Sequence, residues 1–227
     1  DDDMGHPENI TEKTFEEAAK AEGQTVEEAK RNTLALLKKT MNTAIVYMVA
    51  GISSRFGSIK QFVQVTQKET LIEHSLNQAL KAGFNKIYFI VGNKTEKPFK
   101  EKFGNSYKNV PITYVQQIYD EKTRDKPWGT VDALCSIKDA IKEPFVVCTG
   151  DDIYGEKTFK ILHDHLQKSD EEATAGYILS EVIPKEGKTN RGIIKEANNH
   201  VDDIVEIFEI EHATLEQKAY IKIPYAA

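Results

Sequence analysis

The stretch Ile45-Val46-Tyr47-Met48-Val49-Ala50-Gly51-Ile52-Ser53-Ser54-Arg55-Phe56-Gly57-Ser58-Ile59-Lys60 governs the reading of this chain, because an apolar strand runs directly into a loop of small residues that carries two cations. A strand end is a rigid starting point, Gly51 and Gly57 permit close backbone approach, and successive N–H groups can converge on phosphate oxygens. Arg55 and Lys60 add full positive charges. The loop lacks the spacing before Gly-Lys-Ser/Thr and the Gly-x-Gly-x-x-Gly order, so it is neither of the two commonest phosphate-binding patterns. Taken alone, it also reads as an ordinary turn.

A second buried-strand pattern, Pro144-Phe145-Val146-Val147-Cys148-Thr149-Gly150, ends in two adjacent carboxylates, Asp151 and Asp152. Carboxylates at the C-terminal end of a central strand are well placed to hold Mg²⁺, and a solvated Asp-Asp turn is the alternative. Between these two patterns lie Tyr114-Val115-Gln116-Gln117 and Trp128-Gly129-Thr130-Val131-Asp132-Ala133-Leu134, a strand ending in Gln and a Gly-Thr pair opening a helix. An amide offers both donor and acceptor, so Gln117 can pair bidentately with a nucleobase, and Gln116 takes its place if the register slips by one. The alternative is a helix N-cap by Thr130 and an exposed Gln.

These three elements, in this order, resemble the nucleotidyltransferases that activate sugar 1-phosphates, over roughly Asn42 to Ile210. Such proteins open with a strand and a Gly-x-Gly-x-Arg-x-Gly…Lys loop, matched here by Gly51, Arg55, Gly57 and Lys60, with Ser53 where the second glycine is usual. The resemblance, with the alternation of strand and helix patterns along the body, implies a three-layer α/β/α fold with a mostly parallel, Rossmann-like central sheet and an added β-hairpin, and apolar periodicity adds an N-terminal helical segment. The resemblance further implies that Ala50, Gly51, Ile52, Ser53 and Ser54 hold nucleotide phosphates, that Arg55 and Lys60 are catalytic, and that Asp151 is both catalytic and the Mg²⁺ ligand. Gln117, Gly129 and Thr130 fall to the base. Asp152 falls to the acceptor side, or caps the next helix.

The run Asn190-Arg191-Gly192-Ile193-Ile194, followed by Asp203-Ile204-Val205-Glu206, is similar to the family segment in which a Gly N–H and a Glu carboxylate hold sugar hydroxyls. That assigns Gly192 and Glu206 to the acceptor, although Ile207 and Phe208 stand where a Lys is usual. The family continues into a closing strand with a second metal ligand. This sequence, ending at Ala227, reads either as C-terminally truncated or as drawing that ligand from elsewhere. The expected activity is Mg-dependent transfer from a nucleoside triphosphate to a small phosphate-monoester acceptor, a sugar 1-phosphate first among them, with release of pyrophosphate. A non-catalytic nucleotide-binding or interaction module and a glycosyltransferase of related fold are the alternatives.

Composition frames this reading. With 227 residues and 40% apolar content, the chain can bury one substantial α/β core and a small appendage. A formal charge of −6 argues against nucleic acid as a partner, yet a locally basic anion site is compatible with it. Cys135 and Cys148 sit among apolar neighbours and are expected to be reduced core residues of a cytoplasmic protein. No apolar run approaches the roughly 18 residues of a membrane span, so no membrane is expected as a partner. The start of the chain has neither the basic nor the apolar region of a signal peptide. Oligomeric state is not readable.

Along the chain, residues 1–41 read as a tail and helical hairpin, with helices over 14–22 and 25–39 around Gly23, and residues 42–227 as the nucleotidyltransferase domain. Ala19, Gly23, Thr25 and Ala29 fall at helix-turn-helix spacing, but Glu27 and Glu28 would face phosphates, which disfavours DNA binding. Strand signals cover 44–49, 86–91, 112–116 and 145–149, with helices between. Thr70 and Glu73 form a capping-box pattern and Gly83 ends the helix they open. A helix is expected over 156–166 and strands over 175–179, 192–195 and 201–208, the last two joined at Asn198-Asn199. His163 and His165, two apart on a helix, are expected to be solvated and not to share a metal.

Overall fold

The structure, a computed structural model, describes residues 11–51, 59–120, 122, 124, 128–212 and 215. Two helices come first, α1 (Glu12–Glu22) and α2 (Val26–Thr40), separated by Gly23 at φ 66, a left-handed value that glycine adopts without strain. They contact each other through the buried Ala19 and Ala29 and an ion pair from Lys30 to Glu12.

The central sheet is built from β1 (Ala44–Met48), β2 (Lys86–Val91), β3 (Ser106–Tyr107), β4 (Val110–Gln116) and β5 (Phe145–Thr149), in the spatial order β3-β4-β2-β1-β5. All pairings are parallel except that of the two-residue edge strand β3. Helices α3 (Leu71–Ala82), α4 (Glu96–Phe103) and α5 (Thr130–Ser136) lie in the connections between these strands, and α6 (Glu156–Leu166) follows β5. Alternation along the strands sends Ile45, Tyr47, Ile87, Phe89 and Cys148 to one face, where Leu76, Phe99 and Phe159 of α3, α4 and α6 cover them. Ala44, Val46, Tyr88 and Ile90 point to the other face, under Ala133 and Ile137. Strands covered on both faces carry continuous apolar runs, which explains the pattern of 44–49 and 86–91.

The expected capping box at Thr70 and Glu73 is present, and Glu73 is also 3.0 Å from Lys102 Nζ. Gly83 ends α3 at φ 119, and a Cβ there would lie 2.7 Å from the His163 ring. His163 is therefore not solvated as expected. Its ring packs edge-on against Phe84 at 5.1 Å, because α6 lies on α3 and turns this position inward. Cys148 is buried in the core, but Cys135 is exposed: the inward face of α5 is made by Ala133 and Ile137, and Cys135 lies between them on the outer side.

By chain contacts the molecule divides into two compact units, Asp1–Glu171 and Glu172–Ala227. The second contains α7 (Leu179–Val182) and the antiparallel hairpin of β6 (Lys188–Ala197) and β7 (His200–Glu211). Asn198 and Asn199 have φ 55 and 62, the two left-handed positions of a tight hairpin turn. The strand expected over 175–179 is absent. Tyr177 and Ile178 are exposed, and Leu179 starts a helical turn that spaces Leu179 and Ile183 four apart, both buried with Ile193, Ile210 and Leu215.

Candidate active site

Parallel strands end together, so the C-terminal ends of β1, β2, β4 and β5 bring distant segments to one edge of the sheet, the usual position of ligands in open α/β sheets. At β1 the chain leaves through Val49, Ala50 and Gly51, with the Val49 N–H bonded to Ile90 O at 2.9 Å. Close passage is built into the neighbours. A Cβ on Gly92, after β2, would lie 3.0 Å from Ala50 O, and one on Gly150, after β5, would lie 2.5 Å from Val49 Cγ1 and 3.0 Å from Gln61 Cγ.

Ile52, Ser53, Ser54, Arg55 and Gly57 lie outside the described residues, so the structure is described again from Ile59. A 3₁₀ turn, Lys60–Phe62, follows. Phe62 packs on Phe99 at 4.8 Å and Gln61 is buried beside Gly150, which together anchor the turn and leave Lys60 above it. Lys60 Nζ stands 3.7 Å from Asp151 Oδ2. Two expected catalytic residues 91 positions apart are thus brought together by the pairing of β1 with β5. Asp152 behaves differently. The Thr149 hydroxyl donates to its Oδ2 at 2.6 Å, and the Thr149 N–H donates to the Tyr154 hydroxyl at 2.8 Å. Asp152 is held back toward its own strand. Burial pushes the Tyr154 hydroxyl and the Cys148 thiol up to about 12, so both stay protonated at neutral pH and Cys148 is no nucleophile.

At the end of β4, Gln117 is buried, and its Nε2 donates to Asp132 Oδ2 at 2.7 Å and to Gly129 O at 3.4 Å. Gly129, at φ 116, occupies the N-cap position of α5 and Thr130 is its first residue. Gln117, Gly129 and Thr130 are therefore brought together at the end of β4. The amide nitrogen, however, already serves acceptors of the protein itself, whereas its carbonyl oxygen has no hydrogen-bond partner among the described residues. Gln116 is engaged with Asn93, its Nε2 donating to Oδ1 at 2.7 Å. In the second unit, Gly192 and Glu206 are exposed and directly opposite each other in the β6–β7 register.

Asp132 and Gln61 carry parts of this arrangement that the residue pattern did not single out. Asp132 sits two positions into the helix after Thr130, where an acidic residue is common for reasons of the helix dipole alone. Gln61 has its Oε1 buried without a hydrogen-bond partner among the described residues. No group of three His, Cys, Asp or Glu side chains gathers among the described residues. The donor chemistry present still suits Mg²⁺, which keeps several waters and takes one or two carboxylates together with substrate phosphates. An exposed Asp151 at a strand end, with a cation beside it, meets that description.

The nucleotidyl transferase family model matches residues 53–210. The chain belongs to that family. A UTP–glucose-1-phosphate uridylyltransferase, AglF of Haloferax volcanii, is 26% identical over 169 residues, covering 72% of this chain and 63% of that protein. The nucleotidyl transferase chain thus spans less than two thirds of the length of this curated relative. Among solved structures, a glucose-1-phosphate thymidylyltransferase from Bacillus anthracis aligns with a TM-score of 0.55 at 17% identity, over 72% of this chain and 64% of that one. A UDP-glucose pyrophosphorylase aligns with a TM-score of 0.50 at 19% identity, over 76% and 71%. At these identities the two structures establish the fold: the mostly parallel sheet covered on both faces, with an added hairpin.

Proposed function

We propose that this nucleotidyl transferase joins a nucleoside triphosphate to a small phosphate-monoester acceptor, a sugar 1-phosphate first among them, with release of pyrophosphate. The observation that carries the reading is the 3.7 Å approach of Lys60 to Asp151 at the sheet edge, directly after a Gly-rich loop of the family pattern. The acceptor phosphate is already an anionic nucleophile near neutral pH. One of its oxygens attacks the α-phosphorus, the bond to the bridging oxygen of the β-phosphate breaks, and pyrophosphate leaves with that electron pair. No side-chain nucleophile and no strong base are required, which agrees with the inert state of Cys148.

What the chain must supply is alignment and charge compensation. On this reading Lys60 lies against the α-phosphate and the incoming phosphate, Arg55 and the N–H groups from Ala50 to Ser54 hold the rest of the triphosphate, and Asp151 presents its carboxylate to Mg²⁺. Bound there with the triphosphate, Mg²⁺ supplies polarisation of the α-phosphoryl group. Gln117, Gly129 and Thr130 border the base, and Gly192, Glu206 and Asp152 are assigned to the acceptor. No helix among the described residues is long and apolar enough to cross a membrane, and a cytoplasmic site of action suits the substrates proposed.

The test is pyrophosphate release from each common triphosphate, with Mg²⁺, against a panel of sugar 1-phosphates and phosphocholine, with Asp151→Asn as control. Release that requires one triphosphate and one acceptor and disappears in the control is expected. Triphosphate binding without any release across the panel would overturn the reading.

A further inference from the structure

The three most exposed large apolar side chains among the described residues all belong to one stretch: Ile118 at 79%, Val131 at 75% and Trp128 at 70%. Large apolar groups clustered in the open, beside buried polar ones, mark a binding surface more often than single exposed hydrophobes do. This cluster brackets the Gln117–Gly129 contact, since Ile118 follows Gln117 and Trp128 precedes Gly129. One face of the indole is already occupied: the Arg124 guanidinium carbon lies 3.4 Å from the ring centroid. A planar cation stacked at van der Waals distance fixes the ring's orientation, and the exposure that Trp128 retains leaves its opposite face available.

Strand order says which part of a ligand this surface meets. Adjacent strands are about 4.8 Å apart, so the end of β4 is about 10 Å from the end of β1 and about 14 Å from that of β5. Lys60 and Asp151 sit at the β1–β5 end, and the aromatic surface at the other. A triphosphate at the first places its planar, uncharged portion toward the second. From this geometry we infer that Trp128 is the stacking platform for the nucleobase, clamped from behind by Arg124, with Gln117 meeting the base edge through its carbonyl oxygen. The inference rests on the proposed nucleoside triphosphate substrate and adds how its base is held.

Trp128 is the single tryptophan of the chain, so its emission reports this surface alone. The experiment titrates the full chain with each common nucleoside triphosphate and, separately, with inorganic tripolyphosphate, following tryptophan emission and measuring affinity by calorimetry on wild type, Trp128→Ala and Trp128→Phe. The expected result is quenching by a nucleoside triphosphate but not by tripolyphosphate. Affinity for the nucleoside triphosphate should fall about 5- to 150-fold in Trp128→Ala, the loss expected of one base–aromatic stack, and less in Trp128→Phe. Tripolyphosphate affinity should be equal in all three. Calorimetric binding of a nucleoside triphosphate with unchanged emission and an unchanged constant in Trp128→Ala would overturn the stacking and leave the proposed reaction standing. Wild type that binds no nucleoside triphosphate would overturn both.

Discussion

Gly150→Ala tests whether the β1–β5 edge is as tightly fitted as the site requires. The added methyl would lie 2.5 Å from Val49 Cγ1, 3.0 Å from Gln61 Cγ and 3.3 Å from Met48 O. Carbon pairs are at their optimum near 3.5–4.0 Å, so the first contact is short by at least about 1 Å. Val49 cannot yield easily: it is fully buried and β-branched, with few χ1 choices. Relief must come from Gln61 or from separation of the strand ends, which the Gly150 N–H bond to Met48 O at 3.1 Å resists. Overpacking of this kind costs about 1–3 kcal/mol, which for a chain of this size lowers Tm by roughly 2–12 °C. Gln61 adjoins Lys60 and Gly150 adjoins Asp151, so either route of relief alters the 3.7 Å gap between the two charges. A misplacement near 1 Å can cost on the order of 10²-fold in rate, and we expect a kcat loss of at least about tenfold with a smaller change in KM. Thermal unfolding followed by circular dichroism and steady-state pyrophosphate release measure the two effects. A Gly150→Ala protein with Tm within 1 °C of wild type (about 0.3–0.5 kcal/mol) and unaltered kcat would refute the fit on which the site geometry is argued.

Lys60→Ala should lower kcat on the order of 10²-fold or more while KM for the triphosphate moves only a few-fold, and a kcat loss below about threefold in a folded variant would remove Lys60 from the transition state. Asp132→Ala should leave the buried Gln117 amide nitrogen with only its longer bond to Gly129 O, costing about 1–3 kcal/mol in unfolding free energy and raising KM for the triphosphate, whereas Asp132→Asn, which keeps an acceptor oxygen, should recover part of both; equal KM values in all three proteins would dismiss Asp132 as the positioning partner. Burial lowers the His163 pKa below its usual 6.5, with Asp164 at 3.7 Å partly opposing it, so its contribution to stability is complete above about pH 6.5 and is lost as pH falls through the lowered folded value. Urea midpoints between pH 7.5 and 5 should therefore fall less steeply for His163→Gln than for wild type, and parallel curves would contradict that assignment.

The parts of this fold legible in the chain are those whose cause is local. The continuous apolar runs of β1, β2 and β5 follow from cover on both faces, and Thr70, Glu73 and Gly83 mark the ends of α3 through hydrogen bonds made within a few residues. The turn at Asn198-Asn199 is of the same kind. What escaped depends on neighbours far along the chain. Nothing in Gln61 announces burial, because Gly150, which leaves room for it, is 89 positions away. His163 looks like a surface histidine until α3 is set against α6, and Cys135 looks like a core residue until the phase of α5 is known. The apolar run at 175–179 carried a strand signal, but a strand needs an edge to pair with, and the buried spacing of Leu179 and Ile183 is helical. For the site, the spacing of Gly51, Lys60 and Asp151 carried the expectation, and only the β1–β5 pairing turned it into a distance.

That distance also bears on how Lys60 can serve a ligand while it faces a carboxylate. Lys60 and Asp151 side chains are 36% and 40% exposed, so water screens them, and pairs of that kind contribute about 0–1 kcal/mol to stability. At 3.7 Å the bare attraction in an effective dielectric near 20 would be about 4–5 kcal/mol, and the difference is what solvation and side-chain freedom take back. A contact this weak keeps both groups near the β1–β5 edge without locking them to each other. On the proposed reaction a triphosphate, with several negative charges, would outcompete one carboxylate for the ammonium, and the carboxylate so released would be free to meet a cation arriving with those phosphates. The same weakness separates folding from chemistry in the Lys60→Ala test: Asp151 left alone is a solvated carboxylate rather than a buried one, so the variant should keep its Tm within a few degrees, and a fall in turnover then reports the missing charge at the reacting phosphate.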